Sequence, residues 1–318
     1  MNSDLYREQA MAEQTSDNDD RETRFRELLA HAVGMGELFD RLLIAGGHNH
    51  PLDRDDMPAY LLWEVLHLTR LQFEAACRDL EHPWFAYAAS THLRPVLEGM
   101  GHIAFVLGNE TDNPVGTSEQ RATCLALARV RETHQAMASA DSALVPPGNL
   151  DEGLKRVGFY EDAHARVSCP FPEDPSEWPC RESDGKPCKH YELWPCQRTK
   201  KAAPRLLTSP TLHRLSVRMS FPFRDLERAW SLVTHQSLID RMMVDTGRGT
   251  NAFSNASYKD RGLTLAMGQS AYGQSLGWVM DTVDSTAAQV LKSYAASTWQ
   301  RTDFNEVMAG KWDAVDAS

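Results

Sequence analysis

A chain of 318 residues with 42% hydrophobic residues can bury a sizeable core, which excludes global disorder. Its formal net charge of −11 excludes a surface that is basic throughout, yet leaves room for a local basic patch. No run approaches the roughly 18 apolar residues of a membrane span. The acidic, polar N-terminus does not read as a signal peptide, so the expected location is cytoplasmic, with no membrane partner.

Residues 1–20 carry acids, Ser, Asn and Gln with little to bury, and read as a disordered acidic tail. From Arg21 to Ala45, Phe25, Leu28, Leu29, Ala32, Phe39, Leu42 and Leu43 recur at helical spacing, and Gly46 and Gly47 end the run. Met57 to Leu80 is a second helix, with Pro58 in its first turn. The stretch from Trp84 to Gly108 is apolar on nearly every side, which places it in the middle of a bundle. Arg94, Glu98 and His102 nevertheless stack in one row at steps of four, and buried charges need partners. Pro95 predicts a kink at 91–95 or a break there.

Thr117 followed by Gln120 is a capping-box pattern, opening a helix that runs to about Ala140. Residues 150–167 read as a shorter helix interrupted by Gly158. Residues 168–204 have no hydrophobic periodicity and form a Cys- and Pro-rich irregular insertion. A short helix is expected over Pro210–Val217 and a long one over Pro222–Val244. A Gly- and Asn-rich loop follows at 247–257, then two helical runs between Tyr258 and Tyr294 that meet near Trp278–Asp281. Residues 299–318 read as a C-terminal tail with Trp299, Phe304 and Trp312 as anchors. Alternating strand patterns are scarce. The fold class is all-α: a helical bundle of about seven helices over 21–298, carrying the irregular insertion.

Four constellations could carry chemistry. The insertion holds Cys169, Cys180, Cys188 and Cys196, with His190 two residues after Cys188. Soft ligands in a coreless loop suit a structural zinc, which would supply the folding energy the loop lacks; free thiols or disulfides are the alternatives. A basic stretch follows over 198–228, where Arg198, Lys200, Lys201, Arg205, Arg214, Arg218, Arg224 and Arg228 face only Asp225 and Glu227. Such a stretch suits a phosphate backbone, with Tyr191 and Trp194 as candidates to stack on bases. Glu64–His67 and Glu161–His164, with Glu37 and Glu132, match the ligand grammar of a di-iron bundle.

The fourth constellation is Arg228 to His235, with Ser231 between them. An Arg about two helical turns from a His can hold a phosphate while the neutral imidazole takes a proton from a 2′-hydroxyl. This spacing resembles the Arg-x(4–6)-His signature of HEPN-type helical proteins. The resemblance implies a metal-independent endoribonuclease acting on RNA in stress or defence, with Arg228 on the phosphate and His235 as acid and base. It also implies a homodimer whose two pairs share one cleft. Over residues 60–245, Arg94-x-x-x-Glu98 on one helix and Ser231-x-x-x-His235 on a later one resemble uncharacterised bacterial helical proteins related to that group. That likeness implies that Arg94, Glu98 and His235 converge in the core. The readings set against it are a non-enzymatic, zinc-stapled binding or scaffold protein, and a di-iron oxidase-like enzyme.

Overall fold

The computed structural model describes residues 2–48, 56–83, 85–112, 114, 116–140, 146, 148–167, 205–234, 243–245, 251–253 and 256–313. Among them the fold is all-α. Ten helices run in order: α1 (Asn2–Ala45), α2 (Met57–Leu80), α3 (Ala89–Leu107), α4 (Ser118–Ser139), α5 (Asn149–Arg166), α6 (Arg205–Met219), α7 (Phe223–Thr234), α8 (Tyr258–Asp281), α9 (Ser285–Gln300) and α10 (Thr302–Met308). One short antiparallel ladder pairs β1 (Met243–Asp245) with β2 (Asn251–Phe253), Val244 opposite Ala252. The loop expected at 247–257 therefore contains β2. No described helix is long and apolar enough to cross a membrane.

The chain divides into two compact units. The first comprises residues 1–49, 68–97 and 227–318; the second comprises 50–67 and 98–226. Its centre in the first unit is α8, buried on almost every side from Tyr258 to Met280 and packed on α9, α1 and α10. Glycines allow that close approach. A Cβ at Gly268 would fall 2.5 Å from Leu93 Cδ2 and 3.1 Å from Phe73, and one at Gly262 would fall 2.5 Å from Val307. α1 supplies Phe25, Leu28, Leu29, Ala32, Met35, Phe39 and Leu43, all buried along one face. Each large apolar side chain of this kind contributes roughly 1.5–3 kcal/mol on burial.

α1 begins at Asn2 rather than Arg21. Residues 1–33 contain no Gly or Pro, so nothing in them ends a helix once the buried part has nucleated it. At the other end of the chain, α10 occupies the expected tail. Phe304 and Trp312 are buried there, and Trp299 meets Phe304 edge to face at 5.4 Å.

Two polar assemblies lock the first unit. Arg261 on α8 is 1% exposed. It donates from Nε and Nη2 to Leu80 O, from Nη2 to Glu81 O, and from Nη1 and Nη2 to the Glu22 carboxylate, at 2.6–3.1 Å. One guanidinium thus satisfies the carbonyls at the end of α2 and an acid of α1, with the Phe25 ring 4.2 Å beneath it. The second assembly is a directed chain. Gln269 Nε2 donates to Thr298 Oγ1 at 2.7 Å, and the Ser297 hydroxyl donates to Tyr294 O at 2.6 Å. Between them His31 meets Thr298 Oγ1 through Nδ1 (2.7 Å) and Ser297 Oγ through Nε2 (3.3 Å). That ordering assigns the proton to Nε2. Burial and the Arg301 charge lower the His31 pKa and keep the ring neutral.

In the second unit the centre is the first half of α4, where Arg121 to Ala128 are all buried. Thr117 caps it as the capping box predicts, with Thr117 N donating to Gln120 Oε1 at 2.9 Å and Gln120 N to Thr117 Oγ1 at 3.2 Å. α5 packs along α4 and runs unbroken through Gly158, contrary to the expected interruption.

α3 is shorter than expected: residues before Ala89 form turns, with Phe85 N donating to His82 O and Ala88 N to Phe85 O. It continues through Pro95 without a break. Leu93, Val96 and Leu97 are at most 1% exposed around that proline, so packing outweighs the lost backbone bond.

Candidate nucleic-acid interface

Within the second unit, α6 buries Thr211, Leu212 and Leu215 on one face, leaving Arg218 exposed and Arg214 half-buried. Arg214 and Arg218 lie one turn apart in one row. Arg218 donates from Nη1 to Asn109 O at 3.1 Å and pairs through Nη2 with Asp112 at 3.3 Å, which ties α6 to the α3–α4 loop. α6 ends at a tight corner with Ser220 at φ 53°. This left-handed conformation is strained for a residue with a Cβ. Ser216 Oγ then accepts from Arg224 N at 3.2 Å and helps start α7. The Arg224 side chain turns back to His213, Nη1 to Nδ1, at 3.5 Å. Arg214, Arg218, Arg224 and the exposed His213 are therefore presented by two consecutive elements of one unit.

A buried acid that feels these cations is Glu110, which sequence reading missed. It is 4% exposed, and its Oε2 has no hydrogen-bond partner among the described residues. Burial pushes its carboxyl up to about 7, while a backbone hydrogen bond and then the charges of Arg214, Arg121 and Arg218 pull the other way. Arg121 serves the fold: it donates from Nε to Val106 O at 3.1 Å and from Nη1 to Gly116 O at 2.6 Å, closing the end of α3. Nothing in the local sequence marks Glu110, because a loop carboxylate is ordinarily in water.

In the first unit, Arg94 on α3 comes within 3.9 Å of Glu227 on α7, both half-buried. A charge of the apolar helix thus does meet a counter-charge on a later helix, and that residue is Glu227. Arg228, the next residue, is exposed. Ser231 lies one turn beyond Glu227 on α7. His235 follows the last described residue of that helix and lies outside the described residues, so its expected convergence with Arg94 and Glu98 does too. Glu98 itself is half-buried on α3.

The expected zinc ligands, Cys169, Cys180, Cys188, Cys196 and His190, lie outside the described residues, as do Tyr191 and Trp194. Cys77 and Cys124 are buried free thiols. Of the carboxylates in the di-iron pattern, Glu64 faces Arg129 at 3.9 Å and Glu161 accepts from Arg131 at 2.7 Å. Among the described residues no group of three or more His, Cys, Asp or Glu is arranged to hold a metal ion. No family model, no curated protein and no solved structure matches the chain.

Proposed function

We propose that the protein acts on RNA, holding the phosphate backbone with the arginines of α6 and the first turn of α7, and cleaving it without a metal in a stress or defence role. The observation that carries this reading is the row of half-buried Arg214 and exposed Arg218, with Arg224 and His213 following on the same two elements, in a chain whose net charge is −11. Cations concentrated on one face of an acidic protein select a polyanion. Cleavage falls to the HEPN-type pair. His235 takes the proton of a ribose 2′-hydroxyl, and Arg228 holds the adjacent phosphate as charge gathers on it. The 2′-oxygen bonds to phosphorus as the bond to the 5′-oxygen breaks, and the imidazolium returns the proton to that leaving oxygen. The products are a 2′,3′-cyclic phosphate and a 5′-hydroxyl end.

The test is incubation of purified protein with a labelled single-stranded RNA in excess EDTA. Cleavage leaving cyclic-phosphate ends is expected, and it should vanish in His235→Ala and Arg228→Ala while both variants keep the wild-type melting temperature. Cleavage that persists in both variants would overturn the assignment of the pair. A second reading, a non-enzymatic helical scaffold stapled by zinc in its Cys-rich insertion, is favoured by the Arg94–Glu227 pair. There a polar contact between helices has a register-setting role without any substrate. Retained RNA binding with no cleavage by wild type would favour it.

A further inference from the structure

The second unit holds another polar cluster, distinct from the arginines of α6 and α7. His102 comes from α3, Arg129 from α4 and Glu64 from the first part of α2. Arg129 Nη1 and His102 Nε2 are both shut off from solvent, and neither has a hydrogen-bond partner among the described residues. Buried polar atoms are nearly always paired, and a charged donor left unpaired is the costlier exception. Arg129 Nη1 lies 3.9 Å from Glu64 Oε2, near enough to attract and too far to share a hydrogen. The side chains of Arg129 and Glu64 are 26% and 36% exposed, so both reach the surface while Arg129 Nη1 itself is covered.

The chemistry selects the ligand. Burial and then the Arg129 charge hold the His102 imidazole down to about 3, so at neutral pH it is uncharged and carries one N–H. In the tautomer protonated at Nε2, the imidazole can donate alongside the guanidinium to the same oxygen-bearing group. A metal cation is disfavoured by the fixed charge of Arg129, and an apolar ligand would leave both donors unpaired. An oxyanion answers both, at the cost of repulsion from Glu64, which makes the Glu64 carboxylate the group it must displace from Arg129.

We propose that His102 and Arg129 form a binding site for a phosphate-class oxyanion, with Glu64 as the internal competitor that occupies Arg129 when the ligand is absent. The site stands apart from the proposed RNA contact in α6 and α7 and does not depend on it. Its phosphoryl group could come from free phosphate or from a nucleotide, and the two sources are separated below.

The full-length protein is melted in increasing inorganic phosphate against chloride of equal ionic strength and pH. A saturable rise in melting temperature is expected, as for any ligand that binds only the folded chain. Arg129→Gln should weaken the apparent affinity about tenfold or more. Because Arg129→Gln could itself perturb folding, Glu64→Gln is the decisive variant: it removes the competitor and should tighten phosphate binding several-fold. Arg214→Gln with Arg218→Gln should leave the rise unchanged. A rise that survives Arg129→Gln, or that disappears in Glu64→Gln, would overturn the proposal, as would no rise at all in wild type. In a parallel arm, a 5′-mononucleotide replaces phosphate. Tighter binding than phosphate assigns the site to nucleotides, and equal or weaker binding assigns it to the free ion.

Discussion

Burial works on Glu110 and His102 in the same way, by disfavouring the charged form, and so moves their pKa values in opposite directions. Glu110 is raised to about 7 and His102 lowered to about 3. Between the usual carboxylate range and pH 7 the folded chain holds the Glu110 proton and the unfolded chain does not. Stability from this group is therefore present at acid pH and lost as pH rises through about 7. For His102 the unfolded chain takes up a proton below about 6.5 while the folded chain does not until about 3, so its stability is lost as pH falls through that window. His31, lowered by burial and Arg301, adds to the same loss. Glu110→Gln removes only the first effect. Its urea midpoint should exceed that of wild type at pH 8 and match it near pH 5. A difference that does not change with pH would contradict the raised carboxyl.

At the scale of elements, the glycines of α5 and α8 should respond oppositely to the same change. A Cβ at Gly158 meets nothing within 4 Å, so Gly158→Ala should gain roughly 0.5–1 kcal/mol of helix propensity. At Gly268 the same methyl would collide with Leu93 and Phe73, and overpacking of this kind costs roughly 1–3 kcal/mol. Thermal melts of the two variants check both signs. These helices also mark what was legible in the sequence. α2 was read at its observed bounds and the α4 cap in its observed form, because apolar spacing and capping are local. The prominence of α8 was not legible: Gly262, Gly268, Gly273 and Gly277 lower its apolar content while letting neighbours approach. The pairing of Arg94 with Glu227, the burial of Glu110, the approach of Arg129 to Glu64 and the Arg129 charge felt by His102 were equally hidden. Each depends on which helices become neighbours, not on spacing within one of them.

For the molecule as a whole, a net charge of −11 opposes any polyanion, so the RNA binding proposed for α6 and α7 is expected to be local and salt-sensitive. Each phosphate neutralised on a single strand contributes about 0.7 to the slope of log affinity against log salt. The double variant Arg214→Gln with Arg218→Gln should reduce that slope by roughly 1.4, measured by fluorescence anisotropy with a labelled RNA. An unchanged slope would remove α6 from the contact.

The discontinuity of the first unit also bears on how the protein is made. α1 precedes α8 and α9, against which it packs, by more than 200 residues, since both are encoded after residue 257. At ordinary elongation rates its apolar face waits on the order of tens of seconds for those partners. The second unit, whose segments end at residue 226, is complete before them. Part of the apolar face of α1 therefore stays uncovered until residues beyond 257 have emerged, a face of the kind that a chaperone shields.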